Sequence, residues 1–185
     1  MKIAILSASV RTGRNSHRVA LFFKAYLENN TPAVVEILDL QQYQFPIFEE
    51  RLKFQKTPSA QTLEFADKIK SAEGVIIVTP EYNGGYPASL KNVIDLLSDE
   101  WKRKPTAIST VSTGGFAGMN VITSLQYSLW KIQAWTVPAL FPVPKVNEAY
   151  DEQGQPSDKA GSEKRAKVFV DELLWCIEAK SRMNG

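Results

Sequence analysis

The chain has 185 residues, 44% of them hydrophobic and 23% charged, and carries a formal net charge of +2. Those values exclude a disordered chain, the charge is too even to imply a nucleic-acid partner, and the length leads us to expect one domain over 1–185. A single cysteine, Cys176, and a single histidine, His17, exclude an internal disulfide and any one-chain zinc site of the Cys/His type. The cysteine falls in a helical pattern as a small buried hydrophobe and fits a reducing, cytoplasmic setting.

No apolar run approaches the roughly 20 residues that span a bilayer. Residues 2–7 begin with an apolar run, but Arg11 and Arg14 follow it without a small-residue cleavage site, so it reads as a strand and not as a signal core. Val19, Leu21-Phe22-Phe23, Tyr26 and Leu27 recur at helical spacing and predict a helix over 15–29, stopped by Asn30-Thr31-Pro32. Residues 34–38 are a second strand. Residues 41–57 keep no period and carry Tyr43, Phe45, Phe48 and Phe54, a connection long enough to be functional or locally folded. The pattern over 59–71 is helical, with Leu63, Phe65-Ala66 and Ile69 inward. Gly74-Val75-Ile76-Ile77-Val78-Thr79 reads as a strand buried on both faces. Pro87 opens a helix through Leu90, Val93, Ile94 and Leu97. A fourth strand over 106–111, a helix over 117–131 and a fifth strand over 136–143 follow, the last placed at an edge by Pro138 and Pro142. Residues 145–161 form a surface loop. A final helix over 162–180 turns Val168, Phe169, Leu173, Leu174 and Ile177 inward.

Strand and helix alternate five times without a repeat or a linker, which predicts an α/β domain with a doubly wound parallel sheet. Such sheets bind ligands beyond the carboxyl ends of their strands, where the strand order reverses. Three loops fall there. After the first strand, Ser7-Ala8-Ser9-Val10-Arg11-Thr12-Gly13-Arg14-Asn15-Ser16 combines hydroxyls, two arginines and a glycine at a helix start, the parts of an oxyanion cradle. A capped turn with two solvated arginines uses the same residues. Neither G-x-G-x-x-G nor G-x-x-x-x-G-K-[ST] is present, which disfavours dinucleotide binding and nucleotide hydrolysis by this loop. After the third strand, Pro80, Glu81, Tyr82, Asn83 and Gly84-Gly85 offer a flat face, an amide and free backbone N–H groups suited to a planar ring. After the fourth, Ser112-Thr113-Gly114-Gly115 exposes amides at a helix start. One phosphate loop and two ring loops suggest a mononucleotide with a redox-active ring, and FMN fits best.

The segment 80–95, Pro80-Glu81-Tyr82-Asn83-Gly84-Gly85-Tyr86-Pro87-Ala88-Ser89-Leu90-Lys91-Asn92-Val93-Ile94-Asp95, resembles the signature of the NADPH-dependent FMN reductase family. Residues 8–14 resemble that family's phosphate loop, and residues 112–115 its later S-x-G-G stretch. Ala8 stands where glycine is common and Gly85 where serine is common. The resemblance implies a flavodoxin-like three-layer sandwich with strand order 2-1-3-4-5, bound FMN, NADPH or NADH as donor, and a homodimer or homotetramer. Arg11 and Arg14 would anchor the phosphate with Ser9, Asn15 and Ser16 as hydrogen-bond partners. Tyr82 and Asn83 would seat the ring, and Gly114 and Gly115 would face its charge-accumulating edge. The expected activity is a ping-pong reductase passing hydride from NAD(P)H through FMN to a flavin, quinone or similar small acceptor, with no catalytic side chain and no metal.

A flavodoxin-type carrier without reductase activity and a redox-sensing flavin module are alternatives. A serine hydrolase would need His17 to activate Ser9 or Ser112, and no G-x-S-x-G elbow is present; His17 reads instead as a capping or solvated residue. Lys102-Arg103-Lys104 reads as a solvated helix end. Trp101, Trp130, Trp135 and Trp175 read as core or subunit-contact residues.

Overall fold

The computed structural model describes residues 1–183. Five strands, β1 (Lys2–Ser7), β2 (Val34–Asp39), β3 (Gly74–Pro80), β4 (Pro105–Val111) and β5 (Trp135–Val143), pair in parallel in the order β2-β1-β3-β4-β5. This is the flavodoxin-like order, with its switch point between β1 and β3. The register sets Ser7 beside Asp39 and Val78, so β1 and β2 finish level and β3 runs on two residues further to Pro80.

The alternation along each strand sorts the core into two layers. Ile3, Ile5, Ile76 and Val78 face one side, where they meet Val19, Phe23, Phe169 and Leu173 from α1 (Ser16–Asn30) and α7 (Lys159–Met183). Ala4, Leu6, Val75 and Ile77 face the other. There they meet Phe65 and Ile69 of α3 (Ala60–Ser71), Val93 of α4 (Ala88–Leu96) and Leu129 of α5 (Val121–Lys131). Every β3 residue before Pro80 is buried, as its unbroken apolar run predicts. Strand β5 is an edge, and its register against β4 shifts between Thr106 and Ile108, opposite the stretch holding Pro138; an edge and an irregularity are where a strand proline is tolerated.

Some of the remaining expectations hold and others are corrected. Residues 41–57 are locally folded by the short α2 (Leu40–Tyr43) and a 3-10 turn at Leu52–Phe54. The side chain of Asn92 clamps this connection. Its amide donates to the Pro46 carbonyl at 2.6 Å and its oxygen accepts from the Phe48 N–H. Residues 145–161 are not a plain surface loop: they contain α6 (Val146–Ala149) and press Gly154 onto α1, where an added Cβ would lie 2.6 Å from the Arg18 carbonyl. Pro87 precedes α4 as its N-cap. Val168 and Leu63 are exposed, because each sits just off the buried stripe of its helix. Lys104 is buried, 4% exposed, with its Nζ donating to the Lys70 carbonyl at 2.9 Å and also to the Ala72 carbonyl. It therefore satisfies the carboxyl end of α3 and is no solvated helix end. Trp101 and Cys176 are core residues, whereas Trp130, Trp135 and Trp175 lie outside the core. Among the described residues no helix is long and apolar enough to cross a membrane.

Candidate functional site

The carboxyl ends of β1, β3 and β4 open onto a cavity of about 140 Å3. Ser9, Arg11, Arg14, Asn15 and Ser16 line it from the first loop, with Gly13 among them. Pro80, Glu81 and Tyr82 line it from the second, and Ser112 and Thr113 from the third. Asn83, Gly84, Gly114 and Gly115 are exposed residues of the same loops and do not line this cavity. Val111 and Val146 complete the wall. Sequence reasoning did not pick out these two valines; Val111 ends β4 and Val146 starts α6, so only the fold brings them here.

The first loop turns at residues 11–14, where the Arg14 N–H donates to the Arg11 carbonyl at 3.2 Å. It then runs straight into α1. Asn15 occupies the N-cap position but makes no side-chain cap. Ser16, the first helical residue, is 3% exposed, and its hydroxyl has no protein partner. A buried hydroxyl without a partner costs about 1–3 kcal/mol, and a helix N-terminus favours negative charge. An oxyanion in the cavity would satisfy both. Arg11 is exposed at the rim and makes no ion pair among the described residues. The residues present therefore fit a phosphate group.

Arg14 sits differently from the expectation. Its guanidinium is doubly bonded to the carboxylate of Asp39, which ends β2 and is 3% exposed, and Nη1 also donates to the Ser9 carbonyl at 2.8 Å. Burial pushes the Asp39 carboxyl up. The Arg14 hydrogen bonds, the Gln41 N–H and the Arg14 charge outweigh it and hold the group below the usual carboxylate range. Arg14 thus lines the cavity with its charge already taken up.

His17 neither caps the helix nor lies free in solvent. It is half-buried, with Nδ1 at 3.0 Å from the Ser7 hydroxyl and 3.9 Å from Asp39 Oδ2. Burial and then the Arg14 charge pull its pKa below the usual value against the opposing pull of Asp39, which favours a neutral imidazole. The hydrolase arrangement is absent: the Ser9 hydroxyl pairs with the Tyr82 hydroxyl at 2.6 Å, and that of Ser112 donates to the Gly114 carbonyl at 2.8 Å.

The second loop is a tight turn. The Tyr82 N–H donates to the Gly85 carbonyl at 2.8 Å and the Gly85 N–H to the Tyr82 carbonyl at 3.1 Å, so the Gly85 N–H is not free for a ligand. Asn83 and Gly84 between them both have positive φ, 52° and 82°. Asn-Gly is the pair that tolerates two such residues in succession. The turn projects Tyr82 back across the site to Ser9, which ties the second loop to the first. Glu81 accepts from the Asn120 N–H at 3.2 Å and from its side-chain amide at 2.9 Å, tying the second loop to the approach of α5. The third loop is anchored from behind, where the Lys145 N–H donates to the Gly114 carbonyl and the Val146 N–H to the Ser112 carbonyl, each at 3.0 Å. Among the described residues no group of three or more His, Cys, Asp or Glu side chains is arranged to hold a metal ion.

Residues 1–148 match the family model described as NADPH-dependent FMN reductase. The chain is 33% identical over 139 residues to an NAD(P)H-dependent FMN reductase of Saccharomyces cerevisiae, covering 68% of this chain and 72% of that one. It is 31% identical over 133 residues to a quinone reductase of Pseudomonas putida, covering 69% and 68%. Among solved structures, the flavoenzyme NAD(P)H:(acceptor) oxidoreductase of Paracoccus denitrificans shares the fold at a TM-score of 0.77 and 21% identity, covering 96% of this chain and 97% of that one.

Proposed function

Since the chain belongs to the NADPH-dependent FMN reductase family, we propose that it holds FMN with the phosphate in the 9–16 loop and works as a ping-pong NAD(P)H oxidoreductase on a flavin, quinone or similar small acceptor. The observation that carries this reading is the partnerless, buried hydroxyl of Ser16 at the start of α1, a residue that lines a cavity with Arg11 at its rim. Bound FMN supplies the redox chemistry, taking hydride from NAD(P)H and passing two electrons to the acceptor.

The chain's own residues bind and orient. Arg11 supplies the counter-charge for the phosphate, and Ser16 and the α1 N-terminus supply donors. Tyr82 and the 82–85 turn form one wall for the ring. The exposed backbone at Gly114 and Gly115 faces the ring edge that gains negative charge on reduction, where oriented N–H groups act most strongly. No side chain is assigned as a proton donor. The reading includes one domain over 1–185, a cytoplasmic location, and a homodimer or homotetramer, for which the exposed Tyr127 and Trp130 of α5 offer apolar surface.

Anaerobic titration of the FMN-loaded chain with NADPH and with NADH tests the proposal. We expect the flavin absorbance to bleach with one equivalent of at least one nucleotide and to return on adding a quinone. A bound flavin that stays oxidised with both would reduce the chain to a carrier or a sensor.

A further inference from the structure

The half-buried Arg14 and the buried Asp39 are the charge pair at the cavity, and the pair does more than neutralise itself. Asp39 lies on the last residue of β2, its carboxylate accepting from both guanidinium nitrogens of Arg14 and from the Gln41 N–H at 3.0 Å. The same guanidinium donates to the Ser9 carbonyl at 2.8 Å, in the loop that leaves β1. One rigid fork therefore joins the end of β2 to the phosphate loop, and it holds a carbonyl that would repel an anion if it turned toward one. Arg11 is left as the loop's unpaired cation.

We propose that Asp39 is a positioning residue for cofactor binding: it captures Arg14 as a strut that shapes the loop, so that Arg14 is not itself the phosphate ligand. The proposal rests on the reading that the loop holds the FMN phosphate. Its consequence is an asymmetry between single and double substitution. Removing Arg14 alone leaves a buried carboxylate bare behind the cavity wall that Arg14 forms, close to an incoming dianion. Removing both charges leaves no such group, and replacing a whole buried pair is close to neutral where breaking it is costly.

The test is a fluorescence titration of the full chain and its variants with FMN and with riboflavin, which lacks the phosphate. Arg14→Met should weaken FMN binding by about 100-fold and riboflavin binding far less. Arg14→Met/Asp39→Asn should bind FMN within about 10-fold of the unsubstituted chain. A pH series adds a readout that a merely structural role would not move. In Arg14→Met alone, the FMN:riboflavin affinity ratio should recover as the pH falls through the carboxylate range and Asp39 takes up a proton. The FMN phosphate titrates in all the proteins and cancels in the comparison with the double variant; His17, whose pKa both Arg14 and Asp39 move, is taken out by running the series in a His17→Gln background. A double variant as weak as Arg14→Met overturns the proposal, because it means that the phosphate lost a direct contact. Should Arg14→Met fail to fold, the double variant alone decides, near-normal affinity supporting the strut and a loss of about 100-fold refuting it. If the unsubstituted chain shows no preference for FMN over riboflavin, the phosphate reading fails first and the proposal falls with it.

Discussion

At the carboxyl end of the sheet a half-buried cation, Arg14, meets a carboxylate, whereas at the amino end the buried cation, Lys104, meets only the carbonyls of Lys70 and Ala72. Both ends also bury a polar atom without a partner, the Ser16 hydroxyl at one and the Trp101 indole N–H at the other. Ser16 borders an open cavity. The indole is fully buried in the α3–α5 layer of the core. An unsatisfied group on a residue that borders a cavity beside a free arginine is within reach of a ligand, and one in the middle of packed side chains is not. On the proposed reading, the two ends of one sheet divide between holding the fold together and binding.

The largest expected effect lies at the amino end. Lys104→Ala should destabilise the chain by about 2–4 kcal/mol, through lost packing and two carbonyls left without a donor, while the FMN affinity of the folded fraction stays unchanged. Chemical denaturation with a flavin titration reads both. The same variant carries a pH signature. Burial first, and then the charge of Lys180 against the pull of Glu73, lowers the Lys104 pKa to about 8 from 10.5. Between those values the unfolded chain binds more protons, so the folded chain gains stability as the pH rises through that window. Lys104→Ala should lose that gain.

Next comes Arg11→Ala. It should weaken FMN binding by roughly 10–100-fold, the range for losing a hydrogen bond to a charged group, and should spare riboflavin. Equal losses for both flavins would take Arg11 away from the phosphate. Ser16→Ala should cost only about 3–10-fold in FMN affinity and leave the melting temperature of the free chain level or raised, since it removes an orphaned group. A fall in melting temperature would mean that the hydroxyl already has a partner. The smallest effect belongs to His17. Its pKa is lowered, by burial and then by Arg14 against Asp39, so the folded chain should lose a little stability as the pH drops below about 6.5. His17→Gln should flatten that limb in a thermal-melt series.

Local pattern made much of this legible. The apolar run of β3, the Pro-marked edge strand and the three loops beyond β1, β3 and β4 all stand where their residues predict. What stayed hidden was pairing across distance. Arg14 and Asp39 are 25 residues apart and meet only because parallel register sets Ser7 beside Asp39. Without that register Arg14 looks like a second phosphate ligand. Lys104 ends a basic run that looks solvated, and only the end of α3 above it shows otherwise. The Asn83-Gly84 turn reads from sequence only as part of a ring-binding loop, because its residue types suit a ring wall as well as a turn and composition cannot separate the two roles.

The central claim is tested most directly by a crystal structure of the chain with FMN. The account predicts the phosphorus atom in the 9–16 cavity, within hydrogen-bond reach of the Ser16 hydroxyl and Arg11, with the ring beside Tyr82. A flavin bound elsewhere, with that cavity empty or filled by the chain's own side chains, would contradict it.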